Sequence, residues 1–188
     1  MTAIRTFIAI DINQSAKQKI SCLIDQLTRS NADAKWITEN QMHFTLKFLG
    51  HIEENMVPKI SEALKSLVEN FGEFTISFSD IGAFPNIRRP WVIWLGIDKG
   101  KDKLELLNGK IETALEKLGF EKEKRQFTAH LTLGRVRSLK NIEGLKALID
   151  KIDIRLEDEI KANKVILYRS TLSPKGAIYT PLVELPLR

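Results

Sequence analysis

The chain holds a single cysteine, and that removes two ways of stabilising a small fold. An internal disulfide is excluded, and so is a metal centre built on several thiolates. Cys22 lies in QKISCLIDQL, where apolar residues recur at helical spacing, so a small, buried, apolar role is expected of it. Long hydrophobic runs are missing too. The longest, WVIWLGI, falls far short of the ~20 apolar residues that span a bilayer. The opening MTAIRTFIAIDI has only a brief apolar stretch and no charged-then-apolar secretory pattern. No membrane partner and a reducing, cytoplasmic location are therefore expected. Linker-like and low-complexity segments are also lacking, so the expectation is one unit over residues 1–188, working as a monomer.

What is present is an ordinary globular composition, with 43% hydrophobic and 28% charged residues. The net charge of +5 favours an anionic partner without separating nucleic acid from a phosphorylated small molecule.

Periodicity places the elements. IRTFIAIDI reads as a buried strand, and Asn13 can cap a helix over QSAKQKISCLIDQLTRS with Ile20, Leu23, Ile24 and Leu27 on one face. AKWIT and MHFTLKFLG read as strands. Residues 55–70 read as a helix carrying Val57, Ile60, Leu64, Leu67 and Val68 inward, with Pro58 tolerated in its first turn. FTISFSDIGAF and PWVIWLGI read as strands joined through PNIRRP. KDKLELLNGKIETALEKLGFEKEK has a clear helical stripe of Leu104, Leu107, Ile111, Leu115 and Leu118. RQFTAHLTLGRV is a strand, IEGLKALIDKI a short helix, and ANKVILYRS and AIYTPLVEL are closing strands. This mixed order, with hairpin-compatible turns, predicts an α+β fold with antiparallel sheets rather than a doubly wound parallel sheet.

Histidine is also scarce, yet two of the three share one frame: His43-Phe44-Thr45-Leu46 and His130-Leu131-Thr132-Leu133. A helix near each such strand predicts two similar lobes facing one another. Strand alternation projects His43 with Thr45, and His130 with Thr132, on one face; it turns Phe44, Leu46, Phe48, Leu131 and Leu133 toward a core. Two imidazole–hydroxyl units opposed across a cleft supply a proton donor, a proton acceptor and two hydrogen-bonding hydroxyls. Phosphodiester hydrolysis needs that set. Water is deprotonated on one side of phosphorus, the leaving oxygen is protonated on the other, and donors hold the phosphoryl oxygens.

Strict alternation puts Arg135 on the face opposite His130, so a phosphate-binding role for it requires a bulge, a twist or the strand end. The same alternation puts Lys47 on the His43 face. His51 lacks the following threonine and is expected at a turn before a helix, with no role. No His-x-x-x-His or carboxylate cluster accompanies the histidines, so neither metal nor cofactor is expected. The residues by themselves stop at a histidine-pair phosphodiesterase or phosphoryl-transfer site. A small cyclic phosphate, an RNA end, or a non-catalytic nucleotide-binding role all fit.

The two His-x-Thr-Leu units resemble the signature of the two-histidine phosphoesterase superfamily, and within it the RNA 2',3'-cyclic phosphodiesterases, also called 2'-5' RNA ligases. The resemblance extends through RTFIAIDI, KWITENQMHFTLKFLGHI, IGAFPNIRRPWVIWLGI, QFTAHLTLGRV and LYRSTLSPKGAIYTPLVELPL. Ala129 stands where the family commonly has proline, and Gly134 where it often has alanine; both bear on backbone stiffness. The resemblance implies a bilobal α+β fold, with antiparallel sheets flanked by helices around a central cleft and no metal. It implies that His43 is the proton donor to the leaving 3'-oxygen and His130 the proton acceptor that activates water, leaving a 2'-phosphomonoester. Thr45, Thr132 and Arg135 would hold the phosphate and Phe48 would line the pocket. The substrate would be RNA with a 2',3'-cyclic phosphate end, tRNA-like fragments among the candidates, with the reverse 2'-5' ligation secondary. Arg88, Arg89, Arg137, Arg169 and Lys175 are candidates for an electrostatic path along an RNA backbone, and Trp91 for base stacking.

Overall fold

The computed structural model of the protein describes residues 3–152, 159–174 and 176–188. The chain opens with β1 (Ala3–Asp11), whose Ile4, Ile8 and Ile10 are buried on one face. Helix α1 (Gln14–Thr28) begins where the sequence places it, because the Asn13 side chain accepts a hydrogen bond from the Ala16 N–H at 2.8 Å. Its buried stripe is Ala16, Ile20, Leu23, Ile24 and Leu27. Cys22 falls off that stripe and is exposed, contrary to the buried role expected of it.

After β2 (Ala34–Trp36), the long strand β3 (His43–Glu53) carries the first histidine motif. It leads into α2 (Val57–Val68), which starts with Pro58 in its first turn and buries Ile60, Leu64 and Val68. Next come β4 (Phe74–Ile76), β5 (Phe78–Phe84) and β6 (Val92–Ile97), so FTISFSDIGAF forms two strands rather than one. Helix α3 (Lys101–Glu116) is shorter than the charged, leucine-striped segment predicts. The chain leaves the helix at Gly119, which adopts φ 91°, and the Gly119 and Phe120 amides close the last turn onto Glu116 and Leu115. The second motif lies on β7 (His130–Val136), followed by α4 (Ile142–Ile149), β8 (Ile160–Ala162), β9 (Lys164–Ser173) and β10 (Gly176–Pro186).

The strands form two four-stranded sheets, β10-β9-β1-β3 and β2-β7-β6-β5, with β4 and β8 as a small separate pair. Every described strand pair is antiparallel. The order β1-α1-β3-α2 recurs as β6-α3-β7-α4, with β1 beside β3 as β6 is beside β7. Two similar lobes therefore face each other, each a sheet backed by helices, as the paired motif predicts. Helix α1 packs on α4 and α2 on α3, while β3 meets β7 directly. One continuous apolar cluster runs from Ile8 and Ile10 through Phe44 and Leu46 to Leu131 and Leu133. The two motif strands are thus held from behind by the same core.

Candidate active site

Both histidine strands break regular alternation at the same place. In β3, Thr45 pairs with Ala9 but Lys47 pairs with Ile8, leaving Leu46 as an extra residue. In β7, Thr132 pairs with Trp94 but Gly134 pairs with Ile93, leaving Leu133 as the extra one. Each bulge follows the His-x-Thr unit immediately and swaps the faces of everything beyond it. Phe48 then pairs with Phe7, and Arg135 with Val92. Residues directly opposite across an antiparallel pair share a face, so Phe48 joins His43 and Thr45, and Arg135 joins His130 and Thr132. The bulge that a phosphate role for Arg135 requires is present. Phe48, by contrast, does not face the core as alternation predicts; it is 54% exposed on the face of His43 and Thr45.

The bulge also sends Lys47 away from the His43 face. It is buried, with its ammonium 2.6 Å from Glu112 of α3 and 2.9 Å from the Glu121 carbonyl. In the other lobe the equivalent position is Gly134, where a Cβ would lie 2.7 Å from the Trp36 ring. The absent side chain is what lets the second bulge pack.

Aromatic rings wall each histidine. Phe7 lies 4.8 Å from the His43 ring and Tyr179 meets that ring edge-on at 5.1 Å, with Tyr168 stacked on Phe7 at 5.2 Å. His130 meets Phe84 edge-on at 5.1 Å and has Trp94 at 6.3 Å. The Trp94 indole occupies the space that a side chain at Gly82 would fill. Periodicity alone singled out none of Phe7, Tyr168, Tyr179, Phe84 or Trp94. Their register opposite the motif strands is the signal, and it becomes visible only once the strands are paired.

The carbonyl two residues upstream holds each imidazole. His130 Nδ1 lies 2.7 Å from the Thr128 carbonyl, to which it donates as the N–H tautomer, leaving Nε2 as a free acceptor. The Gln41 backbone makes the matching bond to His43. Burial pushes the His43 pKa down from 6.5 to about 4, against the opposing pull of the Asp11 carboxylate. Asp11 pairs with His43 across the strands and holds Lys17 at 2.8 Å. His130 is also lowered, first by burial and further by Arg135, against the support of its bond to Thr128. The Arg135 charge acts on His130 and also on the Tyr179 hydroxyl, whose ring touches His43. That guanidinium links the two halves of the site.

The His43 shift has a consequence for stability. An imidazole with a folded pKa below its unfolded value costs nothing above pH 6.5. It destabilises progressively as pH falls toward 4, by about 3 kcal/mol at ~1.36 kcal/mol per unit. Denaturant unfolding of His43→Gln at pH 7.5 and 4.5 should show a smaller acid-induced loss than wild type, by about 2–3 kcal/mol. Equal losses would contradict a buried, neutral His43.

The other sequence-selected residues divide. Arg88 and Arg89 are exposed in the β5–β6 loop, where the Asn86 side chain accepts both of their amides at 3.1 Å. Trp91, 73% exposed, closes that loop, its N–H bonded to Phe84 and its carbonyl to Val136 just past Arg135. Arg137 is exposed beyond the end of β7. Arg169 pairs with Thr6 and so lies on the face away from Phe7 and His43, which removes it from any path along the cleft. Lys175 lies outside the described residues. His51 is not at a turn but within β3, opposite Arg5. Among the described residues no cluster of three or more His, Cys, Asp or Glu could hold a metal ion, and no helix is long and apolar enough to cross a membrane.

Two copies of the motif strand, bulged alike and packed against each other, are matched by comparison with known proteins. A family model described as LigT like Phosphoesterase matches twice, over residues 10–94 and 95–179. The chain belongs to the LigT-like phosphoesterase family. The division between the two matches falls inside β6, close to where the second repeat begins. The RNA 2',3'-cyclic phosphodiesterase of Thermotoga maritima is 36% identical, over 96% of this chain and 94% of that protein. The protein of the same name from Methanothermobacter thermautotrophicus is 31% identical, over 95% and 96%. Among solved structures, TT0787 of Thermus thermophilus superposes with a TM-score of 0.80 at 22% identity, covering 98% of both chains. E. coli LigT complexed with 3'-AMP superposes at 0.77 with 21% identity, covering 99% of each. Those two likenesses are of fold.

Proposed function

We propose that the cleft hydrolyses the 2',3'-cyclic phosphodiester end of RNA to a 2'-phosphomonoester, by a histidine pair and without a metal. The observation that carries the reading is the duplicated bulge, which sets an imidazole, a threonine hydroxyl and a third side chain on the cleft face of each lobe. Relatives 36% and 31% identical over nearly their whole length carry the name of this activity.

His130 is the base. Its Nδ1–H is committed to the Thr128 carbonyl, so Nε2 presents the lone pair that takes a proton from water. The water oxygen bonds to phosphorus, the bond from phosphorus to O3' breaks, and His43 gives its proton to that oxygen. His130 then carries the proton gained and His43 lacks the one lost; exchange with solvent resets both. The Thr45 and Thr132 hydroxyls and Arg135 hold the phosphoryl oxygens as charge develops. Burial keeps His43 neutral in the free protein, so it takes up the proton it later gives to O3' when the substrate's own anion enters and opposes that burial. Run backwards, the same relay joins a cyclic end to a 5'-hydroxyl as a 2'-5' bond.

Phe48 lines the pocket on the face it shares with His43 and Thr45. The two lobes act as one unit of 188 residues and as a monomer. With a short cyclic-ended oligonucleotide and a large excess of chelator, full turnover is expected. Loss of activity that returns on adding a divalent ion would overturn the metal-free relay.

A further inference from the structure

We propose that Arg5 and His51 form a second phosphate subsite on the first lobe, which takes the RNA backbone on the 5' side of the cyclic end, with the Phe48 ring as a stacking platform between the two. The inference rests on RNA being the substrate class and says where the chain runs after it leaves the reacting phosphate.

The register puts these residues together. A second bulge in β3, at Leu49, follows the first, so Thr6 pairs with Gly50 and Arg5 with His51. Two successive face changes return His51 to the side of the strand that carries His43, Thr45 and Phe48. Arg5 lies on the same side of β1 as Phe7 and Ala9, since β1 itself alternates regularly and buries Ile4, Ile8 and Ile10 on the other. Arg5 is close enough for its charge to act on the Tyr179 hydroxyl, and Tyr179 in turn touches the His43 ring at 5.1 Å. A connected surface thus runs from His43 past Tyr179 and Phe48 to Arg5 and His51.

Its chemistry fits a nucleic-acid backbone. Arg5 and His51 are both exposed, and among the described residues neither is engaged in an ion pair or side-chain hydrogen bond. A guanidinium beside an imidazole offers donors in a fork suited to phosphate oxygens. Phe48, its ring tilted against Phe7 at 6.0 Å, stands between them and the motif with 54% of its surface open, a face on which a base can stack. Arg5 is four residues along β1 from Ala9, the partner of Thr45. At ~3.3 Å per residue that is ~13 Å, beyond the reach of a mononucleotide's single phosphate and within reach of the next nucleotides of a chain. The subsite therefore distinguishes an RNA end from a small cyclic phosphate.

The test compares a cyclic-ended oligonucleotide of about six residues with a nucleoside 2',3'-cyclic monophosphate, in wild type, Arg5→Gln, His51→Gln, the double variant and Arg5→Lys. Wild type is expected to have the lower KM for the oligonucleotide. The double variant should raise that KM by about tenfold, corresponding to two weakened phosphate contacts, and flatten its dependence on salt. KM for the monophosphate should move by less than about twofold, and Arg5→Lys should keep most of the oligonucleotide preference. Equal changes for both substrates, or no change for the oligonucleotide in a variant that melts like wild type, would overturn the subsite. Hydrolysis of neither substrate by wild type would overturn the proposed function itself, which is a separate outcome.

Discussion

His130→Ala is expected to lower kcat on a 2',3'-cyclic-ended oligonucleotide by about 10²–10⁴-fold, the range for losing a positioned general base. His43→Ala should fall in the same range. The double variant should be far less than the product of the two, because acid and base act on one transition state and removing either disables the relay. Binding should persist in both single variants, since Thr45, Thr132 and Arg135 are untouched, so KM should change much less than kcat. The Nδ1 bond from His130 to Thr128 makes a sharper version possible. His130→Gln keeps a polar group of similar reach but no basic nitrogen, and should be as inactive as alanine. Activity within tenfold of wild type in either histidine variant would remove that residue from the relay.

The second large effect is on stability. Lys47 and Glu112 form an ion pair with side chains only 2% and 10% exposed, and the Lys47 ammonium also ties down the Glu121 carbonyl. Removing one partner strands a buried charge and costs about 3–5 kcal/mol. For a chain of this size Lys47→Met should lower Tm by roughly 6–20 °C, at ~2–4 °C per kcal/mol. The paired change Lys47→Met with Glu112→Leu removes both charges and should recover most of that loss. The result to look for is non-additivity: a double variant as unstable as the sum of the single ones would show that the two side chains are not coupled. The pair matters for the site because it anchors the first bulge from behind. It fastens β3 to α3 at the residue just before Phe48 swings into the cleft.

These two predictions mark what the sequence made legible and what it hid. The helices, the two-lobed α+β arrangement and the pairing of His43 with His130 follow from local patterns: a cap at Asn13, leucine stripes, and a repeated His-x-Thr frame. Those signals survive folding because each depends on neighbours a few residues away. The bulges do not announce themselves in that way. HFTLKF and HLTLGR both read as uninterrupted alternation, which puts Lys47 in the cleft and Phe48 in the core although the resemblance puts Phe48 in the pocket; pairing with β1 reverses both alternation readings. Lys47 can turn inward only because Glu112, 65 residues later, meets it there. Arg135 carried the one usable hint, since a phosphate role demanded an irregular strand. His51 lacks the threonine that marks the other two histidines, yet its position depends on two bulges rather than on its motif. Cys22 differs again: the stripe of Ile20, Leu23, Ile24 and Leu27 excludes it from the buried face, and the general tendency of cysteine to be buried does not outweigh helical position. Long-range pairing, in short, decided which face each residue beyond the motifs presents.

A metal-free relay places water on phosphorus and expels O3'. Phosphorus NMR of the product, from a cyclic-ended oligonucleotide turned over in chelator, tests it most directly. Wild type should give a single resonance from the 2'-phosphomonoester, and His130→Ala the unreacted cyclic signal over the same time. A 3'-phosphomonoester, a mixture of the two esters, or the same product at the wild-type rate from His130→Ala would contradict it.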